Sequence, residues 1–113
     1  MAKRTDPLSI LEKAETVAFG GVGFAGEVLP PTRAYFDLAE RLGPDLRPDL
    51  ERLLDKATPA GKVYAADLLD RLDRDAGRAA WRKLSTDTSA VSTFSGCLMG
   101  RTTLADYAAA RLD

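Results

Sequence analysis

Apolar residues along this chain recur mostly at the three- and four-residue spacing of an amphipathic helix. The spacing predicts an all-α fold of about six short helices, and connections this short make successive helices antiparallel neighbours. The stripes are Ile10, Ala14, Val17 and Ala18; Tyr35, Leu38, Ala39 and Leu42; Leu46, Leu50, Leu53, Leu54 and Ala57; Ala65, Leu68, Leu69 and Leu72; Ala76, Ala80 and Leu84, with Trp81 beside them; and Leu104, Tyr107, Ala108 and Leu112.

Capping residues mark where these helices begin. Asp6-Pro7 and Thr58-Pro59 each place an N-cap residue before a first-turn proline. Thr32, Asp73 or Asp75, and Thr103 are the other predicted starts. The first helix is predicted to continue to about residue 18.

Two stretches lack helical periodicity. Residues 19–31 contain four of the nine glycines and end in Pro30-Pro31, so we expect an ordered glycine-rich loop that packs on the helices. In residues 86–101 the alternation of Val91 and Phe94 is too short to predict a strand. The chain is therefore interpreted as one helical domain, 1–113, made of an N-terminal helix and loop (1–31), two helical hairpins (32–85), and an irregular segment with a final helix (86–113).

Composition excludes several kinds of chemistry. The chain has 113 residues, 45% of them hydrophobic, with 16 basic and 17 acidic side chains and a net charge of −1. Without histidine there is no Ser-His-Asp triad and no histidine-ligated metal, so we expect no cofactor and no metal. The balanced charge makes a nucleic-acid partner improbable. The uncharged run 17–26, like every other in the chain, is too short to span a bilayer, so we expect no membrane partner. No signal peptide is recognised, so a cytoplasmic location is expected.

Two short motifs have both a chemical and a structural interpretation. Residues 21–26 match G-x-G-x-x-G, but no strand precedes them and two prolines follow, which favours a tight loop over a dinucleotide site. The acids Asp67, Asp70, Asp73 and Asp75 do not have EF-hand spacing, and Lys62, Arg71 and Arg74 lie among them. We interpret them as a solvated, helix-capping set.

Cys97 is the strongest potential nucleophile of the chain. A reactive thiolate needs a nearby cation or a helix N-terminus, and Arg101 lies four residues away. Because no histidine can act as its base, a small buried hydrophobic residue is the favoured interpretation, with a reactive thiol as the alternative.

Arg74, Arg78 and Arg82 are the favoured candidate site. Their four-residue spacing places three guanidinium groups on one helix face, about 6 Å apart, and Arg71 joins that side if the preceding helix continues. Guanidinium groups suit carboxylate or phosphate partners. The alternative is a solubilising face that Asp70 and Asp75 partly neutralise.

Residues 57–66, followed by Leu68-Leu69 and Leu72-Asp73, and the later Gly96-Cys97 pair together resemble a pattern in small uncharacterised bacterial helical proteins. The helical hairpins also resemble degenerate HEAT-type units. This resemblance implies a way of packing and carries no activity. Within it, Gly61 predicts close approach of another backbone, and Tyr64 predicts a partner for a buried hydroxyl.

These observations favour a non-enzymatic protein-binding module, such as an adaptor, an inhibitor or an immunity-type factor, that holds another protein, preferably an acidic one. One alternative is a small cysteine-dependent enzyme or redox protein centred on Cys97. The other is a small-molecule-binding domain whose pocket is covered by residues 19–31.

Overall fold

The computed structural model describes residues 6–19, 28–95 and 98–112. In chain order the elements are α1 (Pro7–Glu12), β1 (Thr16–Val17), α2 (Pro30–Glu40), a short 3-10 helix (Pro44–Leu46), α3 (Arg47–Lys56), α4 (Pro59–Leu72), α5 (Arg74–Leu84), β2 (Ala90–Ser95), β3 (Leu98–Thr103) and α6 (Leu104–Leu112). The described residues are thus mostly helical, with six α-helices, but they also form a small three-stranded sheet. The all-α prediction needs that correction.

Most helices begin where the capping residues predicted. The Asp6 carboxylate accepts a hydrogen bond from the Leu8 N–H at 3.3 Å, and Pro7 occupies the first turn of α1. The Thr58 hydroxyl accepts one from the Gly61 N–H at 3.2 Å at the start of α4. The starts of α5 and α6 are capped in the same way by Asp73 and Thr103.

The first helix is shorter than predicted. It ends at Glu12, and Thr16–Val17 forms β1 instead of a last helical turn. This short strand pairs in parallel with β2, with Thr16 opposite Ser92 and Val17 opposite Thr93. Val17 is buried as the apolar pattern indicated, but pairing with a strand far along the chain overrides the helical spacing.

The start of α2 also differs from the prediction. The helix begins at Pro30, so Pro30 and Pro31 fill its first turn, where their missing N–H groups cost nothing. Thr32, the predicted N-cap, is instead fully buried, and its hydroxyl donates to the Ala18 carbonyl at 2.6 Å.

The sheet lies where an irregular segment was predicted. Strands β2 and β3 pair antiparallel from Ala90 opposite Thr103 to Ser95 opposite Leu98, and the strand order is β1-β2-β3. Valine and threonine favour such strands, but the ladder that stabilises them forms only after both strands meet. Residue spacing within 90–95 alone therefore gave too weak a signal.

Helix α4 is the centre of the core, since α1, α2, α3, α5 and the first two strands all pack against it. Tyr64 is fully buried, and its hydroxyl accepts from the Ala18 N–H and donates to the Ala18 carbonyl, each at 2.8 Å. The expectation that this hydroxyl has a partner is confirmed.

The two predicted hairpins differ in whether their helices pack on each other. Helices α4 and α5 pack closely, as predicted for 58–85. In the 32–57 hairpin, however, α2 packs mainly on α1 and α3 mainly on α4.

Among the helices of the described residues, none is long and apolar enough to cross a membrane.

Candidate functional site

Helix α5 has one buried and one charged side. Its buried residues are Ala76, Gly77, Ala80, Trp81 and Leu84. Arg74, Arg78 and Arg82 are all exposed and lie on successive turns of the solvent-facing side. Asp73 fixes the start of the helix, because its carboxylate accepts the Asp75 N–H at 3.0 Å. The predicted face of three guanidinium groups is thus present.

These three arginines form no ion pair with any described carboxylate. Neither Asp70 nor Asp75 neutralises them by direct contact. Lys83 on the same helix behaves differently, because it hydrogen-bonds Asp55 of α3 and thereby lowers the pKa of that carboxyl group. The arginine face therefore keeps its hydrogen-bond donors for solvent or a partner.

Arg71 does not join the α5 arginines through a continuous helix, as their spacing had allowed. Helix α4 ends at Leu72 and Asp73 is extended, so no continuous helix joins Arg71 to Arg74. The Arg71 Nε instead lies 3.4 Å from Asp67 Oδ1, and its guanidinium carbon lies 5.6 Å from the centre of the Tyr35 ring.

Asp67 of α4 contacts side chains from three helices, namely Arg71 of α4, Tyr35 of α2 and Arg111 of α6. The Tyr35 hydroxyl of α2 donates to its Oδ1 at 2.5 Å, and Arg111 Nη2 of α6 lies 3.8 Å from its Oδ2. Burial and, next, the hydrogen bond to Asp67 raise the pKa of the Tyr35 hydroxyl well above its usual value. That hydroxyl therefore remains a proton donor to Asp67 at any physiological pH.

Arg111 is the residue of this region that sequence reasoning missed. Its guanidinium carbon lies 5.6 Å from the Trp81 ring centre and 5.4 Å from that of Tyr107. Nη2 also donates to the Tyr107 hydroxyl at 3.3 Å. The four-residue spacing of Tyr107 and Arg111 was a local signal, but the contacts with Trp81 and Asp67 are tertiary.

The acidic set considered as a metal site is dispersed over different contacts. Asp67 serves Tyr35 and the arginines, whereas Asp73 caps α5 and lies 3.3 Å from Arg47 Nη1. Among the described residues, no cluster of three or more carboxylate or thiol groups could hold a metal ion.

Two sequence candidates lie outside the described residues. They are the G-x-G-x-x-G motif at 21–26 and Cys97, which is preceded by β2 and followed by β3. The expectation of a buried or a reactive thiol therefore stays a prediction.

A cavity of about 470 Å³ lies beside α1 and the start of α2. Its walls are Ser9, Ile10, Lys13, Ala14, Glu15, Thr16, Leu29, Pro30 and Pro31. The last three belong to the segment that was expected to cover a pocket. The cavity is open to solvent, mostly apolar, and within the volume range of small-molecule sites.

Comparison of the chain with protein-family models, curated proteins and solved structures finds no match. Function is therefore inferred from the geometry and chemistry of the site.

Proposed function

We propose that this protein is a non-enzymatic binding module that holds an acidic protein through the exposed face of α5. One observation carries the proposal: Arg74, Arg78 and Arg82 present guanidinium groups on three successive turns, and no described carboxylate pairs with them. Planar guanidinium donors match carboxylate oxygens in pairs, so a row of them favours a partner with several carboxylates.

The surroundings of the face favour protein over nucleic acid. Asp70 and Asp75 lie beside the arginines, and the chain as a whole has a net charge of −1. Such a surface lacks the broad positive field that phosphate backbones require. Arg74, Arg78 and Arg82 also have no aromatic residue between them on the exposed side on which bases could stack.

The helix arrangement supports the same use. Helix α4 packs against both α3 and α5, α6 also packs on α5, and Arg74, Arg78 and Arg82 of α5 stay exposed. We propose that these helices act as a HEAT-like stack, because stacked helices create extended recognition surfaces.

Charge reversal tests the proposed function. We expect the double variant Arg78→Glu and Arg82→Glu to lose at least about tenfold in affinity for the partner, since each exposed pair contributes about 0.2–1 kcal/mol and reversal adds repulsion. The partner is captured from an extract of the source organism, purified, and titrated with the wild-type and variant proteins.

The matched control is Arg33→Glu with Arg41→Glu, which changes the net charge equally at exposed positions of or next to α2. The control must bind like the wild-type protein, and thermal midpoints of both variants must stay within a few degrees of it. Equal affinity of the α5 variant and the wild-type protein would contradict the proposal.

A second candidate function is small-molecule binding in the cavity beside α1. Its volume of about 470 Å³ and its predominantly apolar walls favour a small, mostly apolar ligand. We expect such a ligand, screened from a metabolite library, to raise the thermal midpoint, because binding to the native state alone stabilises it. Ser9→Trp, which places a bulky side chain at an exposed position of the cavity wall, should abolish the shift. A shift that survives in this variant would place the ligand elsewhere.

A further inference from the structure

The environment of Asp67 extends the arginine face beyond α5. One carboxylate there faces two guanidinium groups, with Arg71 on its Oδ1 and Arg111 on its Oδ2. Asp67, Arg71 and Arg111 together carry one net positive charge, which the more distant Asp70 carboxylate near Arg111 partly offsets. Asp67 is mostly covered, with 18% of its side chain exposed, whereas Arg71 and Arg111 are 58% and 43% exposed. The positive groups thus lie outward and the negative group inward.

Aromatic rings fix the position of both guanidinium groups. Arg71 lies over Tyr35, and Arg111 lies over Trp81 and Tyr107. Stacking on a ring restrains the guanidinium plane while leaving the N–H groups at its edge available. Each guanidinium has five N–H donors. Among the described residues, Arg71 uses Nε and Arg111 uses Nη2, so further donors of each remain for a ligand.

Trp81 connects this pair to the α5 face. Arg78 lies three residues before the buried Trp81 on α5, so it is exposed at the edge of the side on which Trp81 packs. Arg111 stacks on Trp81 from α6. The positive surface therefore continues from the side of α5 that carries Arg74 and Arg78 onto α6 and the end of α4.

We infer that Arg71 and Arg111, positioned by Asp67 and the aromatic rings, form a second carboxylate contact of the same binding surface, and that its occupant is an acidic helix of the partner. This inference rests on the proposed function. Carboxylates one helical turn apart repeat at about 6 Å, which matches the arginine spacing on α5, and a chain with a net charge of −1 lacks the broad positive field that favours a nucleic acid. The carboxylates of Asp67 and Asp70 also repel a few separate carboxylates less than they repel a continuous phosphate chain.

A synthetic helix provides the test. The probe is a dye-labelled helical peptide with four glutamates on one face at three- and four-residue spacing, and its control carries glutamine at the same positions. Titrations by fluorescence anisotropy at low salt are expected to show binding of the glutamate peptide alone. Arg111→Gln and Arg71→Gln should each weaken it about two- to fivefold, and Arg41→Gln, an equal charge change next to the end of α2, should not.

Lysine at position 111 separates a positioned guanidinium from simple charge. Arg111→Lys keeps the charge but loses the planar group that stacks and binds in pairs, so affinity should stay at least about twofold below wild type. Full recovery with lysine would overturn the role given to the stacked guanidinium.

The remaining outcomes separate the inference from the proposed function. If Arg78→Gln with Arg82→Gln weakens binding and the Arg71 and Arg111 variants do not, the inference is wrong and the α5 site stands. If the wild-type protein binds both peptides equally, or binds an oligothymidine more tightly than the glutamate peptide, both proposals are overturned.

Discussion

Replacing Trp81 with alanine is expected to lower the free energy of unfolding by about 3–5 kcal/mol, the usual range for removing a buried aromatic side chain. Trp81 is only 2% exposed and belongs to the core cluster, and its ring lies 5.9 Å from that of Tyr107 on α6. Its loss removes the aromatic contact with Tyr107 between α5 and α6 and leaves a cavity. Urea unfolding followed by circular dichroism at 222 nm measures the change, since the fluorescence of the lone tryptophan is lost.

Trp81→Phe serves as the matched control. Phenylalanine keeps an aromatic ring and removes the buried Nε1–H, which has no hydrogen-bond partner among the described residues. Losing an unsatisfied donor offsets part of the lost packing, so we expect a smaller decrease than for alanine. A decrease below about 1 kcal/mol for Trp81→Ala would show that the ring is not a core residue.

The same two variants link stability to binding. Because Arg111 stacks on Trp81, alanine at position 81 also releases that guanidinium, whereas phenylalanine keeps a ring beneath it. Under conditions where both variants are folded, we therefore expect the phenylalanine variant to retain more affinity for the acidic helix. The core residue Trp81 therefore affects both the stability of the fold and the position of the Arg111 guanidinium group.

The sequence predicts the features that depend on residues close together in the chain. The caps of Asp6, Thr58 and Asp73 are local hydrogen bonds; the first two were predicted, and Asp73 was one of the two candidates for the start of α5. The spacing of Arg74, Arg78 and Arg82 is local as well, and the helix places all three outward. Local periodicity therefore predicted most of the helices and the row of three arginines on α5.

What it could not predict depends on residues far apart in the chain. β1 exists because Thr16 and Val17 meet β2, more than seventy residues later. Thr32 lies inside α2, which begins at Pro30, and its hydroxyl donates to the Ala18 carbonyl just after β1 instead of capping the helix. Arg71 and Arg111 meet only through Asp67. The spacing of apolar residues along the chain gives no signal for these long-range contacts.

Gly61 is the position where a local rule and the tertiary structure give opposite signs. In an exposed helix, replacing glycine with alanine stabilises by about 1 kcal/mol, because alanine has the higher helix propensity. A Cβ atom at Gly61 would lie 2.1 Å from the Leu11 carbonyl oxygen and 2.9 Å from the Ala57 Cβ. The expected close approach of another backbone is thus confirmed, and α1 has to move away from α4 to admit a methyl group.

We therefore expect Gly61→Ala to lower the free energy of unfolding by about 2–3 kcal/mol in a urea titration. The contact is with a backbone oxygen, so shortening the Leu11 side chain cannot relieve it. Gly43→Ala is the control, because a Cβ there would meet only the mobile carboxylate of Asp45, at 2.9 Å, and its effect should be below about 1 kcal/mol. Stabilisation by Gly61→Ala would mean that α1 does not lie against α4, and the burial of Leu11, Tyr64 and Thr32 at that junction would then need a different explanation.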